Sequence, residues 1–185
     1  MIHRVYAVGF GLYFGLAQTA YFFQMEILLT AAYTGFITAT LAWIGGALTG
    51  LLMPRWLAGE ESLALGLSAW HGAGLAAYYM ALALLVWFPY DFSLLPVYCL
   101  LIMVSGAQAG HFFRANQNYF PSAASLFLME NNGFILGWLG GFGGFVAFGV
   151  GFNQVAPLAL SAPLIPILLL YARACEASHT PETRP

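Results

Sequence analysis

The chain has 185 residues, of which 61% are hydrophobic and 6% are charged, and its formal net charge is −2. Soluble domains carry about 25% charged residues, so this composition excludes a surface that is solvated mainly by water. A chain without lysine also lacks the basic patch of a nucleic-acid-binding protein. The sequence predicts an all-α, polytopic integral membrane protein, because helices satisfy their own backbone hydrogen bonds inside lipid.

Six apolar runs are long enough to cross the hydrocarbon core of a bilayer, which is about 30 Å thick and needs about twenty helical residues. Pro, Gly or charged residues mark most breaks, the last of them at Gly151–Gln154, whereas the first break, near Gln24–Glu26, has neither Pro nor Gly. The predicted spans are Val5–Gln24, Leu29–Met53, Ser62–Trp87, Leu94–Phe113, Ala123–Val150 and Val155–Tyr171.

These spans predict one transmembrane helical domain over residues 1–175. The polar segment Glu176–Pro185 is predicted to form a disordered cytoplasmic tail. With six spans, all five arginines fall on one side of the membrane. The positive-inside rule then places both termini in the cytoplasm, and we expect the membrane to be the inner membrane of a bacterium. The arginines are Arg4, Arg55, Arg114, Arg173 and Arg184.

Glycines recur at four-residue spacing in four of the spans, which is typical of helices that pack closely in lipid. The richest run lies in the fifth span, and it predicts that this helix is central and has neighbours on more than one face. The repeats are Gly11/Gly15, Gly46/Gly50, Gly106/Gly110, Gly133/Gly137/Gly141 and Gly140/Gly144.

Polar side chains in three spans have similar predicted depths, in the cytoplasmic half of the bilayer at 1.5 Å per residue. A lone ionised glutamate at that depth costs a few kcal/mol, so Glu130 is expected to be protonated, paired, or exposed to a water-filled cavity. The sequence therefore predicts an intramembrane polar cluster of His71, Gln108, His111, Arg114, Glu130, Asn131 and Asn132.

Several interpretations of this cluster stay open. The first is structural, with buried polar groups that fix helix packing through hydrogen bonds. The second is a haem b site with His71 and His111 as axial ligands on neighbouring helices. The third is a proton, cation or polyamine site at Glu130, and quinone binding is a fourth.

No sequence motif indicates catalysis or metal binding. The chain has no Walker loop, GxGxxG after a strand, GxSxG or HExxH. Its two cysteines, Cys99 and Cys175, are far apart and form no CxxC pattern. We therefore predict no catalytic residue and no metal ligand, and we expect the protein not to be an enzyme.

Two regions resemble the membrane domain of bacterial spermidine-synthase-like proteins, which is itself similar to part of a major-facilitator fold. The first is Gly15–Glu26 with the glycine-rich segment Ile44–Gly50, and the second is Ser105–Phe113 with Leu128–Gly137. The chain departs from that pattern at His111 and Arg114, lacks its proline there, and lacks the aminopropyltransferase domain. The resemblance implies an inverted-repeat helical bundle, here of three plus three spans, and transfers no catalytic residue.

The small size and short loops favour a protein that acts by holding partners. We expect an anchor or accessory subunit of a larger membrane complex, of the respiratory or photosynthetic electron-transfer kind. Its partners would be the lipid bilayer and other membrane subunits or a second copy of the chain. The alternatives are a small carrier with its acidic site at Glu130, working as a homodimer, and a haem b- or quinone-binding subunit that uses His71 and His111.

Overall fold

The computed structural model describes residues 2–30, 32–53 and 62–179, and all regular structure in these residues is helical. Two single-turn 3₁₀ segments, Phe92–Leu94 and Gln117–Tyr119, flank the fourth α-helix. The described α-helices are α1 (Ile2–Leu29), α2 (Ala32–Leu52), α3 (Leu63–Trp87), α4 (Leu95–Asn116), α5 (Ala123–Phe148) and α6 (Val150–His179).

Side-chain caps mark several helix starts. The hydroxyl of Ser122 accepts from the backbone N–H of Ser125 at 3.1 Å at the start of α5, and Ser62 caps α3 in the same way. Asp91 accepts from the backbone N–H of Ser93 at 2.9 Å. The side-chain and backbone hydrogen bonds from Ser93 hold the pKa of Asp91 below its usual value.

The all-helical class is confirmed, and four described segments are long and apolar enough to cross a membrane. Six spans and cytoplasmic termini stay predictions, because α1 and α5 are not among these four segments. The four apolar segments are Tyr33–Leu52, Leu63–Trp87, Phe92–Tyr119 and Val150–Cys175.

The predicted break at Gly151–Gln154 is wrong. α5 ends at Phe148 and α6 begins at Val150, so the turn between them is Gly149 alone, with φ of 68°. Glycine adopts this left-handed conformation without a steric penalty, and its N–H bonds the carbonyl of Phe145 at 2.7 Å. Gly151–Gln154 therefore forms the first turn of α6.

Two other predicted boundaries also move. The first break falls after Leu29 rather than at Gln24–Glu26, because Gln24 and Met25 are buried against the bundle and continue α1. Thr30 makes the turn with φ of 52°. α6 extends to His179, four residues into the predicted tail, and residues 180–185 lie outside the described residues.

Two pairs of helices make the closest contacts in the bundle. α1 packs along α5, and α2 packs along α4, each pair running parallel. A Cβ on Gly11 or Gly15 would overlap the backbone of Glu130 or Phe134, and a Cβ on Gly133 or Gly137 would overlap the backbone of α1. Only glycine permits this separation, and its Cα–H points at a carbonyl oxygen of the facing helix.

The α2–α4 pair repeats the arrangement. Gly46 and Gly50 of α2 lie against the carbonyls of Met103 and Ala107, and Gly106 and Gly110 of α4 lie against the carbonyls of α2. The two halves of the chain make equivalent contacts when α1, α2 and α3 are matched in order with α4, α5 and α6. The α1–α5 pair then corresponds to the α4–α2 pair, and the α1–α6 contact corresponds to the α4–α3 contact.

The prediction that α5 is central is wrong, because α1 holds that position. α1 contacts α2, α3, α5 and α6, whereas the buried residues of α5 lie on a single face, at Leu126, Gly133, Gly137 and Gly141. Gly140 and Gly143 face open space. Gly133, Gly137 and Gly141 face α1 along one close contact, Gly144 lies against the ring of Phe152 of α6, and Gly140 and Gly143 have no helix opposite them.

One end of the bundle collects the three described arginines. Arg4 follows the start of α1, Arg114 lies in the last turn of α4, and Arg173 lies near the end of α6. Contacts of Tyr6 with Asn116 and Tyr171 bring these three helix ends together. We call this the arginine end. Arg55 and Arg184 lie outside the described residues.

Tyrosine and phenylalanine rings fill the core beside α1. Tyr6 stacks on Tyr171 with ring centroids 3.9 Å apart, and Phe10 stacks on Phe112 at 5.3 Å. Such large rings exclude lipid and water from the bundle axis and hold the helices at fixed rotations.

Two tyrosine hydroxyls of α3 form hydrogen bonds with the backbone of α6 near Pro157. Proline has no N–H, so the carbonyl of Asn153 lacks its helical donor, and the Tyr78 hydroxyl donates to it at 2.6 Å. The next hydroxyl, of Tyr79, donates to the carbonyl of Gln154 at 2.9 Å and accepts from the N–H of Leu158 at 3.2 Å. The proline is tolerated here because a neighbouring helix supplies the missing donor.

We expect Tyr78→Phe to lower the free energy of unfolding by about 1–3 kcal/mol, because it leaves the Asn153 carbonyl buried without a donor. In a Pro157→Ala background the helix regains its own N–H, so the same change should have little effect. Denaturant titration in mixed micelles measures both. Tyr98→Phe is the matched control, since the buried Tyr98 hydroxyl bonds no described residue. Equal losses in both backgrounds would contradict this account.

Candidate intramembrane site

The centre of the bundle contains a hydrogen-bonded group of three side chains. His71 of α3 lies between α4 and α6, and its Nδ1 pairs with the amide nitrogen of Gln108 at 2.7 Å. Its other ring nitrogen, Nε2, bonds the hydroxyl of Ser161. All three side chains are buried, with relative exposures between 1% and 3%. This triad ties three helices together where water is excluded.

Aromatic rings surround His71. Phe10 and Tyr13 of α1 make edge contacts with the imidazole, with ring centroids 5.3 and 4.9 Å away. Next to the triad, the hydroxyl of Tyr21 pairs with that of Ser105 at 2.8 Å, and Ser105 donates to the carbonyl of Gly74 at 3.0 Å. The polar core therefore connects four helices through side-chain hydrogen bonds.

The predicted cluster separates into different places. His71 and Gln108 meet in the core, while His111 is buried beside Trp70 with ring centroids 5.7 Å apart. Arg114 is partly exposed in the last turn of α4. The other three predicted residues lie on α5, which contacts neither α3 nor the His71 triad closely.

Haem b does not fit the arrangement of His71. An axial ligand must offer a ring nitrogen to the iron, but Nδ1 and Nε2 both have side-chain partners. Aromatic rings pack on the imidazole, and none of the described pockets is lined by His71 or His111. Among the described residues, no group of three His, Cys, Asp or Glu side chains is arranged to hold a metal ion.

Glu130 instead lines one of two neighbouring pockets between α2 and α5, which together we call the lateral cleft. Its part nearer the arginine end has a volume of ≈ 420 Å³, and its other part has a volume of ≈ 230 Å³. The first part is lined by Trp43, Ile44, Ala47, Leu48, Leu51, Ala109, Gly110, Phe113, Phe127 and Glu130. The second part is lined by Gln18, Phe22, Phe36, Ala39, Thr40 and Trp138.

The lateral cleft exists because of the glycine contacts. α5 is held against α1, and α2 is held against α4, so α2 and α5 form the two walls of a space between the pairs. Its floor is made from α1 and α4. The cleft opens at the outer surface of the bundle, where its lining residues Ile44, Leu48 and Phe127 are exposed.

The Glu130 carboxyl is half-buried in this cleft among apolar side chains. In the described part of the chain, the Glu130 carboxyl has no hydrogen-bond or ion-pair partner. Asn132 is exposed on another face of α5, and Asn131 is partly exposed. Three consecutive polar residues therefore point in three directions, about 100° apart.

Sequence reasoning missed several residues that form the polar core. Ser161, Ser105 and Tyr21 carry hydroxyls, which are common in transmembrane helices and gave no distinct signal. The need for a hydroxyl donor such as that of Tyr78 could have been predicted. Pro157 follows Asn153 by four residues and has no N–H, so the Asn153 carbonyl must lack its helical donor. The partner that supplies the donor depends on tertiary packing.

The chain matches no protein-family model, no curated protein and no solved structure.

Proposed function

We propose that this chain is a non-catalytic integral membrane subunit that anchors or supports a larger membrane complex. In this proposal all six helices cross the bilayer and both termini lie in the cytoplasm, since this arrangement leaves every arginine on one side. The observation that carries the proposal is Glu130, a carboxyl that faces the lipid-accessible lateral cleft with no partner in the described chain.

Polar groups on the outer side of α5 support association with other membrane helices. Glu130 is half-buried in the lateral cleft and Asn132 is exposed, and polar side chains at membrane depth are stabilised by partners on neighbouring helices. The rigid core supports the same proposal. Glycine contacts and stacked rings hold the bundle together, which suits a scaffold more than a protein whose halves must move.

We expect the complex to belong to the electron-transfer class, whose cofactors would be held by the partner subunits. A visible absorption spectrum of the purified complex tests that expectation. An inverted-repeat origin, which the resemblance to the spermidine-synthase-like membrane domain implies, is also a proposal. The equivalence of the α1–α5 and α4–α2 pairs supports this origin, because each half of the chain contributes matching helices to the two closest pairs.

A small carrier is the second candidate function. It is favoured by the same acidic residue, because Glu130 lies in a groove of ≈ 420 Å³ whose other residues are almost all apolar. Pockets of about 300–1,000 Å³ are typical of small-molecule sites. In a carrier, Glu130 would bind a proton or cation, and a second copy of the chain would close the groove.

Glu130→Gln separates the two candidates. In a subunit, we expect the yield of co-purified membrane proteins to fall about tenfold, which corresponds to about 1.4 kcal/mol of binding. The substitution removes the charge and keeps the shape, so the variant should still insert and fold. Mild-detergent purification from the native membrane, followed by quantitative mass spectrometry, measures the yield.

Glu26→Gln is the matched control, since Glu26 lies at the end of α1 away from the arginines and lines neither part of the lateral cleft. A wild-type chain that purifies as a lone, stable monomer would contradict the subunit proposal. A partnerless dimer whose uptake of a substrate is lost in Glu130→Gln would establish the carrier instead.

A further inference from the structure

The two parts of the lateral cleft lie along the same face of α2. The residues that line it recur at intervals of three and four, which is one side of a helix. At 1.5 Å per residue, the lined segment is about 22 Å long, and a bilayer core is about 30 Å thick. The occupant therefore needs a length close to the membrane thickness. These α2 residues are Phe36, Ala39, Thr40, Trp43, Ile44, Ala47, Leu48 and Leu51.

Ala47 of α2 and Ala109 and Gly110 of α4 form a patch of small residues in the part of the cleft nearer the arginine end, beside the rings of Trp43 and Phe113. A patch of small residues lets a backbone approach closely, which is how helices associate in lipid. This shape matches a helix, because a lipid chain gains nothing from small residues along its path.

Glu130 determines the chemistry of the occupant. Its carboxyl is the one ionisable group that lines the described cleft, and it has no partner in the described chain. An arginine or lysine on another transmembrane helix carries a similar penalty, of about 2.5–3.5 kcal/mol on insertion scales. Pairing the two groups offsets both penalties. At the other end of the cleft, Gln18 and Thr40 offer hydrogen bonds.

We propose that the lateral cleft binds one transmembrane helix of a partner subunit, which places an arginine or lysine against Glu130. This inference rests on the proposed subunit function and names the partner's chemistry. A basic residue belongs in the third of the partner helix nearer the arginine end, because Glu130 lies two turns into α5 from that end.

Synthetic helices test the site directly. Two peptides of about twenty Leu and Ala residues differ at one position in the cytoplasmic third, which holds Arg in one and Leu in the other. Each carries an acceptor fluorophore and is reconstituted with the donor-labelled full chain in phosphatidylcholine vesicles. We expect the Arg peptide to associate about tenfold more tightly than the Leu peptide. Glu130→Gln should remove this difference, and Glu26→Gln should preserve it.

A steric variant provides a second readout. Leu48→Trp enlarges a side chain at the edge of the cleft and should weaken binding of the Arg peptide, whereas Leu100→Trp enlarges an exposed residue of α4 outside the cleft and should not. Equal affinities of the two peptides, or a preference for Arg that survives Glu130→Gln, would overturn the inference. So would equal effects of the two tryptophan variants.

Photo-crosslinking in native membranes distinguishes this inference from the proposed function. A crosslinker at position 127 should capture a transmembrane segment with a basic residue, and one at position 100 should not. Capture of lipid alone, or of a second copy, at position 127 overturns the inference. If subunits co-purify but crosslink elsewhere, the inference fails and the proposed function stands. If the chain purifies alone yet binds the Arg peptide through Glu130, the proposed function fails and the site stands.

Discussion

Gly137→Ala is expected to lower the free energy of unfolding by about 1–3 kcal/mol, the usual cost of overpacking a core. An added Cβ would overlap the backbone of Leu12, with the carbonyl carbon 2.8 Å away. The obstacle is backbone, so no rotamer change can relieve it, and α1 and α5 must separate. Every glycine contact along that pair then loosens together, including the Cα–H contacts with facing carbonyls.

Gly140→Ala is the matched control in the same helix. Nothing lies within 4 Å of the Cβ it would add, so we expect no loss and a gain of up to about 1 kcal/mol from the better helix former. Unfolding by denaturing detergent in mixed micelles measures both variants. Similar losses at positions 137 and 140 would mean that helix propensity, rather than the α1–α5 contact, determines the result.

The α2–α4 pair offers the same test at adjacent residues. A Cβ on Gly46 would overlap the backbone of Met103, whereas a Cβ on Gly45 would meet only the flexible end of the Met103 side chain, at 3.9 Å. We therefore expect Gly46→Ala to destabilise the bundle by about 1–3 kcal/mol and Gly45→Ala to be tolerated. Adjacent positions share depth and helix, so the difference between the two isolates the close contact.

The glycine spacing predicted close helix packing, and the structure confirms that these glycines lie at helix contacts. Which helix meets which could not be predicted. The same four-residue spacing occurs in α1, α2, α4 and α5, and it is compatible with any pairing among them. The observed pairs depend on the whole set of faces, and α1 meets α5 across more than a hundred residues of sequence. The same limit explains the wrong prediction for α5.

The position of a residue in a helical bundle depends on its depth in the membrane and on its rotation about the helix axis. Counting residues from helix ends gave similar depths for His71, Gln108 and Glu130. His71 and Gln108 form a hydrogen bond, but Glu130 has a different rotation and lines the lateral cleft. The rotation of Glu130 depends on which side of α5 packs against α1. That packing is tertiary, so counting residues along the sequence could not predict it.

Depth and rotation also determine which polar groups can form hydrogen bonds inside the bundle and which lie on its outer side. His71 faces the bundle and has partners on both ring nitrogens, whereas the buried Tyr98 hydroxyl and Asn153 amide have none among the described residues. Glu130 faces the lateral cleft and has no partner among the described residues, and Asn132 is exposed on α5. In lipid, a polar group that the chain does not satisfy favours association. The interior therefore provides stability, and the outer surface of α5 carries the proposed function.

Gln108→Leu is expected to lower the free energy of unfolding by about 1–3 kcal/mol, because it removes the amide that pairs with His71 Nδ1 at 2.7 Å. The imidazole cannot find another partner there, since Phe10 and Tyr13 pack against it. Gln154→Leu makes the same chemical change at an exposed position of α6 and should leave stability within about 0.5 kcal/mol of wild type.

The double variant His71→Phe with Gln108→Leu should recover most of that loss. Replacing both partners by apolar groups of similar shape removes the unsatisfied donor and acceptor together, and a phenyl ring extends the aromatic contacts with Phe10 and Tyr13. Ser161 can then bond a carbonyl of its own helix. Coupling energies of about 0.5–3 kcal/mol are typical of such contacting pairs. Losses that simply add would show that the triad is not a unit, and a double variant that unfolds would show that His71 has a role beyond holding three helices together.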